Sequence, residues 1–456
     1  MPGSQRVLVF GAGFMGTHLV RQMRADGDQH YLPLGFLDDD PALLQSAVES
    51  LPVLGRLEDL EAVALAVRPQ SLVVAITSVN SKTLRGLEAR CRDLEMSLRV
   101  LPPLSDILSA SPPRADVNPV SLEDLLARRA VVTDEPAISA LVKGSAVVVT
   151  GAGGSIGSEL AKQLARYSPG RLVLIDRDES ALQATQVSLE GHGLLDSEDI
   201  VLADIRDAPW ISEVFDAVRP QLVFHAAALK HLPMLERYPA EALKTNVIGT
   251  RNVLEASQRA GVEVFVNIST DKAADPISVL GQTKLVTEFL TWQANETETQ
   301  DRRSRFMSVR FGNVFGSRGS VLTVFQKQVA AGASVTVTDP EVTRYFMTIQ
   351  EAVHLVLQSA VIGRGGETLV LDMGEPVSIL DVANEAISRS GRQVPIRFTG
   401  LRKGEKLHEV LVGAHEQTRD GPHPGILHIS RSRDDLELLA GLPKQFVQGL
   451  GLVDDE

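Results

Sequence analysis

The chain has 456 residues, beyond the roughly 250–300 at which one hydrophobic core stops growing, so two domains are expected. A composition of 44% hydrophobic and 23% charged residues excludes disordered and fibrous classes. A formal charge of −13 and an aromatic content of 4% argue against a phosphate backbone or stacked bases as the principal partner. Cys91 is the only cysteine, which rules out a disulfide framework or a cysteine metal cluster and suits a reducing cytoplasm. No apolar run approaches the roughly 18–20 residues that cross a bilayer.

In chain order, Arg6 to Phe10 predicts a strand, followed by Gly11-Ala-Gly13-Phe-Met-Gly16 and a helix over His18 to Ala25. This Gly-x-Gly-x-x-Gly turn is a dinucleotide fingerprint, and a second strand from Tyr31 to Leu37 ends at Asp38, where a carboxylate meets a ribose. Gly11, Gly13, Gly16 and Asp38 therefore mark a nucleotide site, or a glycine turn kept only for packing. Ser71 to Ile76 and Leu98 to Leu101 read as further parallel strands. Pro102-Pro103 and Ser111-Pro-Pro113 break the pattern, and 119–143 reads as a helical connector. Two domains are expected, 1–140 and 141–456.

The second domain opens with the strand Ser145 to Thr150, running into Gly151, Gly154 and Gly157. Those glycines leave room for a pyrophosphate, and the helix beginning near Ser155 offers its positive end, with Ile156, Leu160 and Leu164 at helical spacing. Arg171 to Asp176 is the next strand, and Asp176 stands where a carboxylate binds a ribose diol. That carboxylate repels a 2′-phosphate, favouring NAD, while Arg177 is the residue that would admit NADP. Lys230 and His231 follow an apolar strand and point to a pocket mouth. Glu263 to Ile268 predicts a buried strand, putting Ser269, Thr270, Asp271 and Lys272 at its carboxyl end, where open α/β sheets bind ligands. A helix over Gly281 to Leu290 carries Lys284 back toward that end.

The signatures Thr150-Gly-Ala-Gly-Gly-Ser-Ile-Gly157, His225-Ala-Ala-Ala-Leu-Lys-His231, Ser269-Thr-Asp-Lys272, Arg310-Phe-Gly-Asn-Val314 and Thr343-Arg-Tyr-Phe-Met-Thr348 resemble the CapD-like polysaccharide-biosynthesis family. Its members are nucleotide-sugar 4,6-dehydratases within the extended short-chain dehydrogenases, and the resemblance covers 144 to about 412. It implies an α/β protein of two Rossmann-type doubly wound parallel sheets, the second with a small C-terminal substrate-binding part. It departs from the superfamily at Leu280-Gly-Gln-Thr-Lys284, where Tyr-x-x-x-Lys is usual. Many family members begin with membrane helices; the expectation here is a soluble cytoplasmic homo-oligomer.

By resemblance, Asp204 and Ile205 lie against the adenine, and Ala226 and Ala227 line the cofactor's diphosphate and ribose. Asn313, Arg344, Arg402 and Glu405 join Lys230 and His231 at the nucleotide sugar, with Arg310 also at a diphosphate position. Asp271 is expected to take the C4 hydroxyl proton and give it to the C6 oxygen. Lys272, neutralised by burial beside Lys284, takes the C5 proton; Thr270 holds the C4 oxygen and Lys284 the nicotinamide ribose. The implied reaction converts UDP-N-acetylglucosamine to a 4-keto-6-deoxy sugar. A nucleotide-sugar 4-epimerase and a non-catalytic NAD(H)-sensing regulator are the alternatives.

Overall fold

The computed structural model describes residues 4–25, 31–76, 81–100, 118–119, 132–297 and 304–448. The two proline breaks and residues 120–131 of the expected connector lie outside these residues. The chain divides into units 1–130 and 131–456. The helix Glu135–Val142, at the end of the expected connector, belongs to the second, burying Ile138 and Val142 against its sheet.

In the first unit, Leu51–Gly55, Tyr31–Leu37, Gln5–Phe10, Ser71–Val74 and Ser97–Val100 lie side by side as a parallel sheet. The two-residue strands Ala47–Val48 and Asn118–Pro119 close its edges antiparallel. Val7, Leu8 and Val9 are fully buried, as a parallel sheet covered on both faces requires.

The second unit is built on nine strands. Their spatial order is Ile200–Leu202, Arg171–Asp176, Ala146–Thr150, Leu222–His225, Val264–Ile268, Arg305–Arg310 and Glu367–Leu371, all parallel. Ile426–Ser430 and Thr418–Asp420 complete it antiparallel. The chain doubles back between Ala146–Thr150 and Leu222–His225, which opens a crevice at their carboxyl ends. Beyond Arg310, three two-stranded ribbons with the helices Val321–Ala330 and Ile379–Ser390 form the smaller C-terminal part. No helix among the described residues is long and apolar enough to cross a membrane.

A buried four-charge cluster ties these layers together. The Arg310 guanidinium, fully buried, donates to Glu288 Oε2 at 2.7 Å and Glu416 Oε2 at 2.7 Å. Arg431 Nη2 donates to the same carboxylates, at 2.8 Å to Glu288 and 2.7 Å to Glu416. Arg310 Nη1 also donates to Leu411 O. The diphosphate role expected for Arg310 is therefore corrected: its fork is spent inside the protein. Ser269 Oγ donates at 2.6 Å to Glu288 Oε1, which also accepts from Arg310 Nε at 3.1 Å, so the cluster holds the strand tip that begins the Ser-Thr-Asp-Lys run.

Burial raises the Glu416 pKa, but hydrogen bonds and charge from Arg310 and the charge of Arg431 outweigh it, holding the carboxyl at about 2. A depressed carboxylate pKa contributes stability that is complete above its unfolded value of about 4.3 and lost as pH falls toward the folded one. Glu416→Gln should therefore lower the unfolding free energy near neutrality by about 3–5 kcal/mol, since it strands buried guanidinium charge. Its stability should also depend less on pH between about 4.5 and 2 than that of the wild type. Urea denaturation across that window checks both.

Candidate active site

The crevice begins with a glycine turn that only glycines can make. Gly151 has φ +69°, and a Cβ there would fall 2.6 Å from Ala227 N; one on Gly157 would fall 2.1 Å from Gly151 O. Gly154 caps the helix Ser155–Arg166 without any side-chain acceptor, so first-turn N–H groups are left for an anion. Asp176 Oδ2 accepts from Gly153 N at 2.9 Å and Oδ1 from Asp178 N at 3.0 Å, clasping the turn from the neighbouring strand. Gly151, Gly154, Asp176, Arg177, Asp204, Ile205, Ala226 and Ala227 line one pocket, together with Thr245 and Leu229. Its donor set, glycine-turn amides with the Asp176 and Asp204 carboxylates opposite, fits an adenosine diphosphate. Arg177 faces Asp204 at 3.6 Å, and Asp204 also pairs with Arg206 at 2.6 Å, so the guanidinium has an acidic neighbour. Ser155 Oγ accepts from Arg318 N at 3.1 Å, while Ile156 packs on the core.

The first unit repeats this arrangement. Gly11 has φ +105°, a Cβ on Gly16 would fall 1.9 Å from Gly11 O, and nothing lies within 4 Å of one on Gly13. Asp38 accepts from Ala12 N at 2.7 Å and from Asp40 N at 2.9 Å.

At the tip of Val264–Ile268, backbone bonds from Ser269 N to Val309 O and Asp271 N to Phe311 O extend the sheet one step further. Thr270 Oγ1 and Lys272 Nζ both donate to Asp271 Oδ1 at 2.9 Å. Asp271 Oδ2 is buried and has no hydrogen-bond partner among the described residues. Lys272 Nζ also reaches Asn313 Oδ1 at 3.4 Å and Glu409 Oε1 at 3.6 Å. Burial opposes the Lys272 charge, but the carboxylates of Asp271 and Glu409 prevail, and its pKa lies above the ordinary lysine value. The expectation that burial makes Lys272 neutral is thus corrected: two carboxylates supply more attraction than desolvation removes. Burial instead depresses Lys284, to about 8, with Glu288 opposing the shift.

Leu280 is 6% exposed and packs with Leu235 and Ala242, so an apolar cluster fills the position where a phenol is usual. His225 is a packing residue: its ring nitrogens lie 2.7 Å from Thr150 Oγ1 and 2.9 Å from Thr250 Oγ1, and burial with nearby Lys284 pushes its pKa down to about 3. Asn246 binds both backbone atoms of Leu229 and the Thr283 hydroxyl, stapling the crevice wall to the helix that carries Lys284.

Lys230 and His231 are exposed, directly after the pocket-lining Leu229. His231 lies over the turn 316–319, since a Cβ on Gly319 would sit 3.1 Å from its Cε1. Arg402 is exposed. Arg344, by contrast, donates to Thr343 O at 2.7 Å, Leu407 O at 3.0 Å and Glu405 Oε1 at 3.0 Å. Glu405 also accepts from Thr338 Oγ1 and Arg402 N. The fork expected at a phosphate thus braces the 405–409 loop, and Glu405 is its partner in that brace.

Sequence reading missed Glu409, Gly281 and Gly312. A Cβ on Gly281 would fall 2.1 Å from Lys272 O, and one on Gly312 would fall 3.0 Å from Asp271 Oδ2. Only the interleaved acids and bases of Arg402 to Glu409 hinted at such a role. Gly281→Ala should displace the Thr270–Lys272 turn, lowering stability by about 1–3 kcal/mol and turnover with it. Thermal melting beside a steady-state assay tests this; wild-type behaviour in both would refute the close packing.

Residues 147–431 match the family described as polysaccharide biosynthesis protein, and 3–102 match a CoA-binding domain. The chain is 39% identical to the probable polysaccharide biosynthesis protein EpsC of Bacillus subtilis, over 94% of this chain and 72% of that one. A Campylobacter jejuni UDP-N-acetylglucosamine 4,6-dehydratase (inverting) is 32% identical over 60% of this chain and 80% of its own. A Rickettsia akari UDP-glucose 4-epimerase is 32% identical over 66% and 86%. The crystal structure of Pen from Bacillus thuringiensis superposes with a TM-score of 0.59 at 31% identity, covering 64% of this chain and 90% of that one. With this match spanning the strand-tip residues and the glycine turn alike, the chain belongs to the CapD-like polysaccharide biosynthesis family of extended short-chain dehydrogenases.

Proposed function

We propose that the second unit is a nucleotide-sugar 4,6-dehydratase that acts on UDP-N-acetylglucosamine for polysaccharide synthesis. The observation that carries this reading is the Asp271–Lys272 pair, its aspartate fully buried with one carboxylate oxygen unpartnered among the described residues, at the tip of the strand next to Leu222–His225, whose end leads into the glycine-turn pocket. An epimerase needs no group for C5 or C6, whereas a dehydratase needs both.

Bound NAD would supply a hydride acceptor at C4 and a donor at C6. Gly151, Gly154 and the amides of the following helix turn hold its diphosphate, and Asp176 holds its adenosine ribose. Lys284 holds the second ribose. Asp271 takes the C4 hydroxyl proton, with Thr270 orienting the same oxygen, and later delivers that proton to the leaving C6 oxygen. Lys272 removes the C5 proton once the C4 ketone has acidified it. Lys230, His231 and Arg402, all exposed, meet the nucleotide diphosphate in this reading. The first unit's matching turn and clasp, Gly11, Gly13, Gly16 and Asp38, form a second nucleotide site in this reading.

Incubation with UDP-N-acetylglucosamine in deuterated water tests the reaction by NMR. The expected product is a 4-keto-6-deoxy sugar with deuterium at C5, absent in Asp271→Asn and Lys272→Ala that still bind NAD. Recovery of only the C4 epimer would make the protein an epimerase, and an unchanged sugar would favour the sensor. For the cofactor, calorimetric titration should give NAD at least about 10-fold tighter binding than NADP, because Asp176 repels a 2′-phosphate. Equal affinities would overturn that preference.

A further inference from the structure

We propose that Glu409 acts through Lys272 as its proton acceptor, storing the ammonium proton while the free amine works at C5. This role rests on the dehydratase reading above. Glu409 is 5% exposed. Three cations surround it, none within a hydrogen bond: Lys272 Nζ at 3.6 Å and Arg344 Nε at 4.0 Å from Oε1, and Lys406 Nζ at 4.0 Å from Oε2. Its Oε2 is buried without a partner among the described residues.

The other two cations are anchored elsewhere. Arg344 is held by Glu405 and two backbone carbonyls, and Lys406 donates to Ala274 O at 2.7 Å. Burial lowers the Lys406 pKa, against the charges of Glu409, Asp275 and Asp271. Lys272 is the nearest of the three to a Glu409 oxygen, and its bond to Asp271 is the one that weakens once Asp271 carries the substrate's proton. Asp271, the other carboxylate at Lys272, is occupied by the substrate's own proton during elimination and cannot serve both groups.

The balance closes. After C4 becomes a ketone and Asp271 a carboxylic acid, the Lys272 ammonium passes one proton to Glu409, leaving a neutral amine and a neutral acid. Such neutral pairs are favoured when substrate excludes water from the site. The amine takes the C5 proton, and the C5–H electron pair flows into the C4 enolate. The enolate collapses, the C6–O bond breaks, and Asp271 protonates the departing oxygen as water. The Lys272 ammonium returns its proton to C5 as C6 is reduced, and Glu409 then restores the ammonium.

The test follows deuterium exchange at C5 of the 4-keto-6-deoxy product against pH, in NAD-loaded wild type, Glu409→Gln and Glu409→Asp. Internal transfer makes the wild-type exchange rate flat with pH. In Glu409→Gln the Lys272 proton must leave to solvent, so exchange should slow about 10²-fold near pH 7 and rise about tenfold per pH unit. Glu409→Asp, which keeps the acceptor, should retain the flat profile at a reduced rate. Retained NAD binding and thermal melting report folding in each variant. A flat profile in Glu409→Gln, at any rate, overturns the proposal, as does a rising one in Glu409→Asp. If wild type makes no 4-keto-6-deoxy sugar at all, the dehydratase reading itself falls, and this role with it.

Discussion

The alternating charges of Arg310, Glu288, Arg431 and Glu416 are the constraint on which the second unit depends. Taking four ions out of water costs several kcal/mol each, and only close pairing with satisfied hydrogen bonds offsets that. Each guanidinium here meets two carboxylates, and the group has no net charge. Its members come from the helix Val279–Thr297, the end of Arg305–Arg310, the 411–416 loop and the residue after Ile426–Ser430. Four separate elements must therefore arrive together. Because Ser269 is tied to Glu288, the same closure sets where Thr270, Asp271 and Lys272 stand.

Charge placement at the strand tip also separates two lysines that sequence treats alike. Lys272 faces Asp271 and Glu409, which keep its ammonium favoured. Lys284, on the helix behind, has no ion-pair partner within 4.0 Å among the described residues, and burial lowers it to about 8. The two acids at the strand tip thus favour the charged form of Lys272, and their absence around Lys284 leaves burial to decide.

The two glycine turns show one solution used twice in one chain. In each, a glycine with positive φ starts the turn, a later glycine packs on its carbonyl, and an aspartate at the next strand end accepts an N–H of the turn. The aspartate thus braces the turn, and in the proposed reading it also offers its outer lone pairs to a ribose. Turn closure and nucleotide recognition are consequently hard to separate by sequence inspection.

The strands Gln5–Phe10, Tyr31–Leu37, Ser71–Val74, Ala146–Thr150, Arg171–Asp176 and Val264–Ile268, both glycine turns and the Thr-Asp-Lys tip were legible from the residues, because apolar runs and glycine spacing are local signals, whereas the pocket residues Asp204, Ile205, Ala226 and Ala227 came only through the family resemblance. The fate of each charged group was not. Arg310 and Arg344 looked like phosphate ligands until their partners, about 100 and 60 residues away, were seen to occupy them. Glu409 and Gly281 had no local signature, since their meaning lies in what they touch. Sequence by itself determined which chemistry is present and at which end of the sheet it stands. Tertiary structure alone decided which ions neutralise one another, because Coulomb energy and desolvation depend on distance through space and on burial, neither of which chain separation encodes.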